Sequence, residues 1–377
     1  MRPLRTTISC VVFAALLITS GARLLAGNGR SSLPLGLRWS VDIGAPPVAR
    51  AAPVSDDHAV YLALRTGQIA SYDLADGHER WRKDLAVTHP LATSGDLLFA
   101  ATEDTIVALH GADGTIAWET PAAITAPLYA RAGWLIAMSG GNVLAFRADD
   151  GGRVWQRDIG TITIRPAIAE DILYVAADDG RILALQLSNG EQVWQQALEG
   201  AAETPLVTGG RLYTGTSDLF LYCLDAGSGD KIWFHRLGAP AQGSATADAS
   251  RVYLVTLDNL VRAFDLRSGN QRWIDGLRHR PATGSVALGP IVMVASANSA
   301  EIWTWAAASG KSGGSITIPA QPAVPPAFVD RGDEGAFVFV VTGGLASRWQ
   351  LTLLATAGDP PLVPLSALPG EPLDPKR

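Results

Sequence analysis

Only two cysteines and four lysines occur among the 377 residues. Cys10 falls inside an N-terminal apolar run, which leaves Cys223, and one thiol cannot form an internal disulfide. A dithiol redox centre is excluded, and Cys223 reads as a small buried apolar residue. Positive charge is also scarce: 36 acids face 30 bases, a formal net charge of −6, so no basic field exists to hold a polyanion, and nucleic acid is excluded as a partner. The chain is equally poor in recognisable chemistry. Its six histidines (58, 78, 89, 110, 235 and 279) show no metal-ligand spacing, and no HExxH helix or GxxxxGK[ST] loop is present. The acid pairs Asp149-Asp150 and Asp178-Asp179 fall at predicted turns and read as structural.

What is present argues for an ordered β protein. Charged residues make up 18% and hydrophobic ones 47%, too apolar a balance for a disordered chain. Thirty-nine Gly, 23 Pro and 11 Trp suit short strands and tight turns better than helices. At the N-terminus, Arg2 and Arg5 precede an apolar run from Cys10 to Ile18, well short of the ~20 residues of a spanning helix. Segment 1–26 is therefore expected to be a secretory signal cut after Ala22 or Ala26, with an uncleaved anchor as the alternative, and the location extracytoplasmic, periplasmic or secreted.

From Val60 onward one phrase recurs with a period near 39 residues. Its turn glycines are Gly77, Gly114, Gly151, Gly190, Gly229, Gly269 and Gly310. Four residues after each of the first six stands a tryptophan: Trp81, Trp118, Trp155, Trp194, Trp233 and Trp273; the seventh copy has Gly314 there. Before each glycine comes Asp, Asn or Ser, the signature of a hairpin tip. A column of small residues (Ser71, Ala108, Ala145, Ala184, Cys223, Ala263 and Thr304) is expected where a neighbouring sheet presses closely on a strand. A short segment marked by Pro90, Pro127, Pro166, Pro205 or Pro281 opens the copies.

Four short strands per copy make one small antiparallel sheet that cannot bury both faces alone. Stacking the copies around an axis covers each face with the next, which predicts an all-β propeller over residues 37–355. Seven glycines define seven blades of four strands. An eighth, over 323–354, lacks its outer strand, and the fragment around Trp39 matches that strand. The expectation is an eight-bladed β-propeller closed by its N-terminal strand, with seven blades as the alternative and a Pro-rich tail over 356–377.

The motif Ala263-Phe264-Asp265 with Gly269 and Trp273 resembles the repeat named after pyrroloquinoline quinone (PQQ) enzymes. Among families built from it, a chain that is almost all propeller is similar to BamB, the scaffold lipoprotein of outer-membrane barrel assembly. That resemblance implies a non-enzymatic, monomeric scaffold that binds a protein partner, including a membrane-associated one, without cofactor or metal. The family's lipidated Cys has no counterpart, since Ala26-Gly27 is followed by Asn28, so no lipid anchor is expected. The alternative is a PQQ-dependent oxidoreductase or quinone-binding sensor with PQQ and calcium, against which stand the missing Cys pair and the absence of room for insertions.

In a propeller, the connection feeding each innermost strand sits at the mouth of the central channel. Arg50, His89, Arg165, His279 and Arg280 fall on those connections, with Glu203 as the nearby acid, and are the candidate residues for binding an anionic group or acidic partner segment. The competing expectation is that they point outward or pair with neighbouring acids.

Overall fold

The computed structural model describes residues 35–331, 336–343 and 348–356. The expected signal segment 1–26 and the tail beyond Thr356 lie outside them. Every regular element described is a β-strand. The strands form eight four-stranded antiparallel sheets, the blades. Blade 1 runs through Val54–Ser55, Ala59–Leu64, Gln68–Asp73 and Glu79–Asp84, from the axis outward. Blades 2 to 7 repeat this order over 92–121, 129–158, 167–197, 206–236, 246–276 and 286–317. Innermost strands touch their neighbours around the axis, as Ala92–Ser94 touches Tyr129–Arg131.

Burial follows from stacking. The second and third strands of a blade are covered on both faces by adjacent blades, so Ala59–Leu64 is buried at every position. The fourth strand faces solvent and alternates, as in Arg153–Asp158, where Trp155 is buried between exposed neighbours.

Blade 8 joins the two ends of the chain. Its strands are Ala327–Asp330, Ala336–Gly343, Trp349–Thr356 and, outermost, Leu35–Asp42. Trp39 pairs with Leu353, Ser40 with Thr352 and Val41 with Leu351, and the Ile43 amide donates to the Trp349 carbonyl at 2.8 Å. The expected eight blades and their closure by the N-terminal strand are both present.

The tryptophan column has a job that spacing along the chain conceals. Each indole reaches forward to the next blade, not back to the glycine four residues before it. The Nε1 of Trp39, Trp81, Trp118, Trp155, Trp194, Trp233 and Trp273 donates to the carbonyl of Leu74, Gly111, Ala148, Leu187, Ala226, Leu266 and Ala307 respectively, at 2.7 to 3.3 Å. Beside each carbonyl lies that blade's turn glycine, on which the ring rests. At Gly151, φ is +68° and an added β-carbon would come within 2.5 Å of the Trp118 ring. The glycine is thus required twice, by the left-handed backbone and by the indole. Gly77, Gly114, Gly190, Gly229, Gly269 and Gly310 meet Trp39, Trp81, Trp155, Trp194, Trp233 and Trp273 in the same way.

The small-residue column faces the indole of its own blade: Ser71 pairs with Trp81, Ala145 with Trp155 and Cys223 with Trp233 across adjacent strands. The seam between blades 7 and 8 has no indole, because Gly314 stands opposite Thr304. Aliphatic side chains fill it instead, with Leu35, Leu37, Ile291, Met293 and Val338 in one cluster.

Candidate functional site

Fourth strands end on one face of the ring, and the chain then crosses that face to the next innermost strand. A backbone bond from each crossing to the second strand of the new blade holds most of these segments down: Thr88 to Ala101 at 2.9 Å, Thr125 to Met138 at 2.8 Å and Glu203 to Gly215 at 2.8 Å. Blade 4 does this differently. The amide and hydroxyl of Thr163 donate to the Asp178 carboxylate at 3.2 and 3.0 Å.

That crossing, Thr161-Ile162-Thr163-Ile164-Arg165-Pro166, alternates strictly. Ile162 and Pro166 are buried and Ile164 is half-buried, so extended backbone turns Thr161, Thr163 and Arg165 to solvent. Arg165 stands immediately before the buried Pro166, next to the innermost strand Ala167–Ala169. It is exposed to water yet hemmed in by protein, and this burial holds its guanidinium below the ordinary arginine value, offset in part by the Tyr129 phenol. No carboxylate pairs with it among the described residues. Tyr129 opens the innermost strand of blade 3, so cation and phenol come from adjacent blades.

The other candidates separate. His89 is half-buried, with Nδ1 2.9 Å from the Thr88 hydroxyl and a hydrogen bond to the Thr125 backbone; burial pushes its pKa down, so it brings no positive charge at neutral pH. Arg50 is exposed and sits at φ +63°, in the left-handed region that a non-glycine residue seldom occupies. His279 and Arg280 lie earlier on their crossing, ahead of Pro281 and the innermost strand Val286–Leu288. The Arg280 carbonyl accepts the Ala297 amide at 2.8 Å, and His279 Nε2 lies 3.4 Å from Glu301, placing both over the turn between the second and third strands of blade 7. Pro281 explains the difference: it bridges to Ser296 well ahead of the innermost strand, whereas Pro166 directly adjoins its own. Glu203 is half-buried, and desolvation alone raises its pKa, so Arg165 and Glu203 do not form a pair.

Tyr129 escaped the sequence reading. Its signal is its column, because the same pairing position on other innermost strands carries Val54, Ala92, Ala167, Leu206 or Thr246, none aromatic.

A calcium-bound quinone needs a cluster of oxygen ligands for its metal. Among the described residues, the only group of three or more potential ligands close enough for a metal is Asp73, Asp76 and His78, on an exposed third-to-fourth-strand turn facing away from the crossings. Cys223 is buried and has no cysteine neighbour in sequence. The donor set of the channel mouth therefore does not fit that group. The sequence also spells Gly-x-Ser-x-Gly once, at 310–314, but on a hairpin of blade 7 and not on a strand-to-helix turn.

An eight-bladed ring stitched by a Trp and a Gly at seven of its eight seams defines a PQQ-type repeat propeller. The profile of the family described as "Outer membrane protein assembly factor BamB" matches residues 36–161, 139–219 and 207–333, and the chain belongs to that family. No curated protein matches it in sequence. Among solved structures, BamB from Moraxella catarrhalis is similar at TM-score 0.70 and 18% identity, covering 85% of this chain and 99% of that one. The computationally designed Ika8 protein reaches TM-score 0.69 at 14% identity, covering 84% and 99%. The quinohemoprotein alcohol dehydrogenase ADHIIG from Pseudomonas putida HK5 reaches 0.66 at 13% identity, covering 91% and 79%. At these identities the likeness concerns the fold, which a scaffold, a design and an enzyme share.

Proposed function

We propose that this chain is a non-enzymatic binding scaffold outside the cytoplasm, acting through a protein partner in envelope or outer-membrane protein assembly. Membership of a family described by that assembly supports the setting. The observation that carries the binding site is Arg165: an exposed guanidinium on the crossing that leads directly into the innermost strand Ala167–Ala169, matched by no carboxylate of the described chain. Such a group is available to an acidic segment of a partner, which would supply the missing counter-charge. The crossing also shows the half-buried Ile164 next to it, an apolar edge beside a cation.

No helix among the described residues is long and apolar enough to cross a membrane. Work as a monomer, without cofactor or metal, completes the reading.

Quinone-dependent oxidation is the second reading, and the fold shared with the alcohol dehydrogenase is what favours it. The two separate in one experiment. Purified protein titrated with PQQ and calcium is expected to show neither stoichiometric quinone binding nor dye reduction with alcohols, while retaining partner proteins from an envelope extract. One-to-one quinone uptake with dye reduction would reverse the assignment.

A further inference from the structure

On the face opposite the crossings, where blade 8 meets blade 1, lies a cleft of about 380 Å³ lined by Arg38, Asp57, His58, Arg80, Arg331 and Phe337, with the turn at Asp73–Ala75. Phe337 is buried and forms its floor. Arg38 Cζ stands 5.4 Å and Arg331 Cζ 5.7 Å from the centre of its ring. A guanidinium held over an aromatic ring keeps its in-plane N–H groups free to point sideways. Arg331 is held further by Asp57 at 2.8 Å. Arg38 is not: its Nε is buried and has no hydrogen-bond partner among the described residues. Arg80, half-buried on the outer strand of blade 1, forms no ion pair or side-chain hydrogen bond among the described residues.

Among the described residues, three arginines against Asp57 and Asp73 give this cleft a positive surplus in a chain of net charge −6. A buried cationic donor with no acceptor is costly, and a bound anion would remove that cost. We infer that this cleft is a carboxylate-binding site in which Arg38 and Arg80 face the ligand and Phe337 supplies an apolar floor. The planar fork of a guanidinium suits a planar carboxylate, and the volume admits a small acid or one acidic side chain with its flanking backbone. The site is separate from the channel mouth and independent of the function proposed above.

Calorimetric titration of the full chain at low ionic strength tests it, with three probes: citrate, a nine-residue peptide of alternating Asp and Gly, and inorganic phosphate. The Asn counterpart of the peptide is the control. One-to-one binding of citrate or of the acidic peptide is expected, with none by the Asn peptide. Response to citrate alone assigns the site to free acids, and response to the peptide assigns it to acidic segments. Arg38→Gln and Arg80→Gln should each weaken binding about tenfold. Arg80→Gln changes a half-buried residue, so its melting temperature should match the parent and its affinity is informative even where Arg38→Gln loses stability. Failure of both carboxylate probes, tighter binding of phosphate, or unchanged affinity in Arg80→Gln would overturn the inference.

Discussion

The indole of Trp39 lies across Gly77 so closely that a β-carbon there would stand 2.7 Å from its ring, while its Nε1 donates to Leu74 at 3.0 Å. Trp39 belongs to the outermost strand of blade 8 and Gly77 to the hairpin of blade 1, so this contact locks the two ends of the ring together. Six further seams use the same pair of residues.

Removing one lock should be costly and specific. Trp194→Ala, at a buried site, is expected to destabilise by about 3–5 kcal/mol in urea unfolding. Gly151→Ala should cost about 1–3 kcal/mol by overpacking Trp118. Combining Gly151→Ala with Trp118→Ala should cost less than the sum, since the added methyl then has room. Strict additivity would show that the indole does not constrain the glycine.

Closure is open to a covalent test. The hydroxyls of Ser40 and Thr352 lie 2.9 Å apart across the outer strands of blade 8. Ser40→Cys with Thr352→Cys should form an intramolecular disulfide on mild oxidation and shift mobility in non-reducing electrophoresis. A pair that stays reduced while folded would contradict the register.

Blade number, strand order and closure were legible because the repeat columns report packing that every blade repeats. The partner of each tryptophan was not: Gly151 precedes Trp155 by four positions in sequence, yet touches Trp118 of the preceding blade. Spacing along one chain does not distinguish contacts within a unit from contacts between units. Of the five candidate residues, Arg165 stands nearest an innermost strand, because its alternating crossing and Pro166 mark the last step to that strand. Crossings differ in length and use proline at different points, so Pro281 places His279 and Arg280 earlier on their crossing than Pro166 places Arg165. Nothing in residue type announced that His89 is held neutral by burial.

Cys223 provides a probe of the intact ring. It is fully buried, and desolvation pushes its thiol up to about 11, so little thiolate forms at pH 8. Labelling by a disulfide reagent at pH 8 should therefore be slow in the native protein and complete on unfolding. Rapid native labelling would mean that the seam around blade 5 opens readily.

Glu203 gives a pH dependence of definite sign. Burial raises its folded pKa, so the stability this group contributes is full below its unfolded pKa and is lost as pH rises through the folded value. Glu203→Gln removes that loss. The variant should melt above the parent at pH 7, and the gap should close as pH falls toward 4. A gap that widens in acid would show that Glu203 has a stabilising partner.

The proposed binding role rests on Arg165 and is tested most directly by reversing its charge. Immobilised parent and Arg165→Glu, compared at equal melting temperature, should differ in capture from an envelope extract: a discrete set of proteins held by the parent, reduced about tenfold in the variant. Equal capture by both would contradict the account.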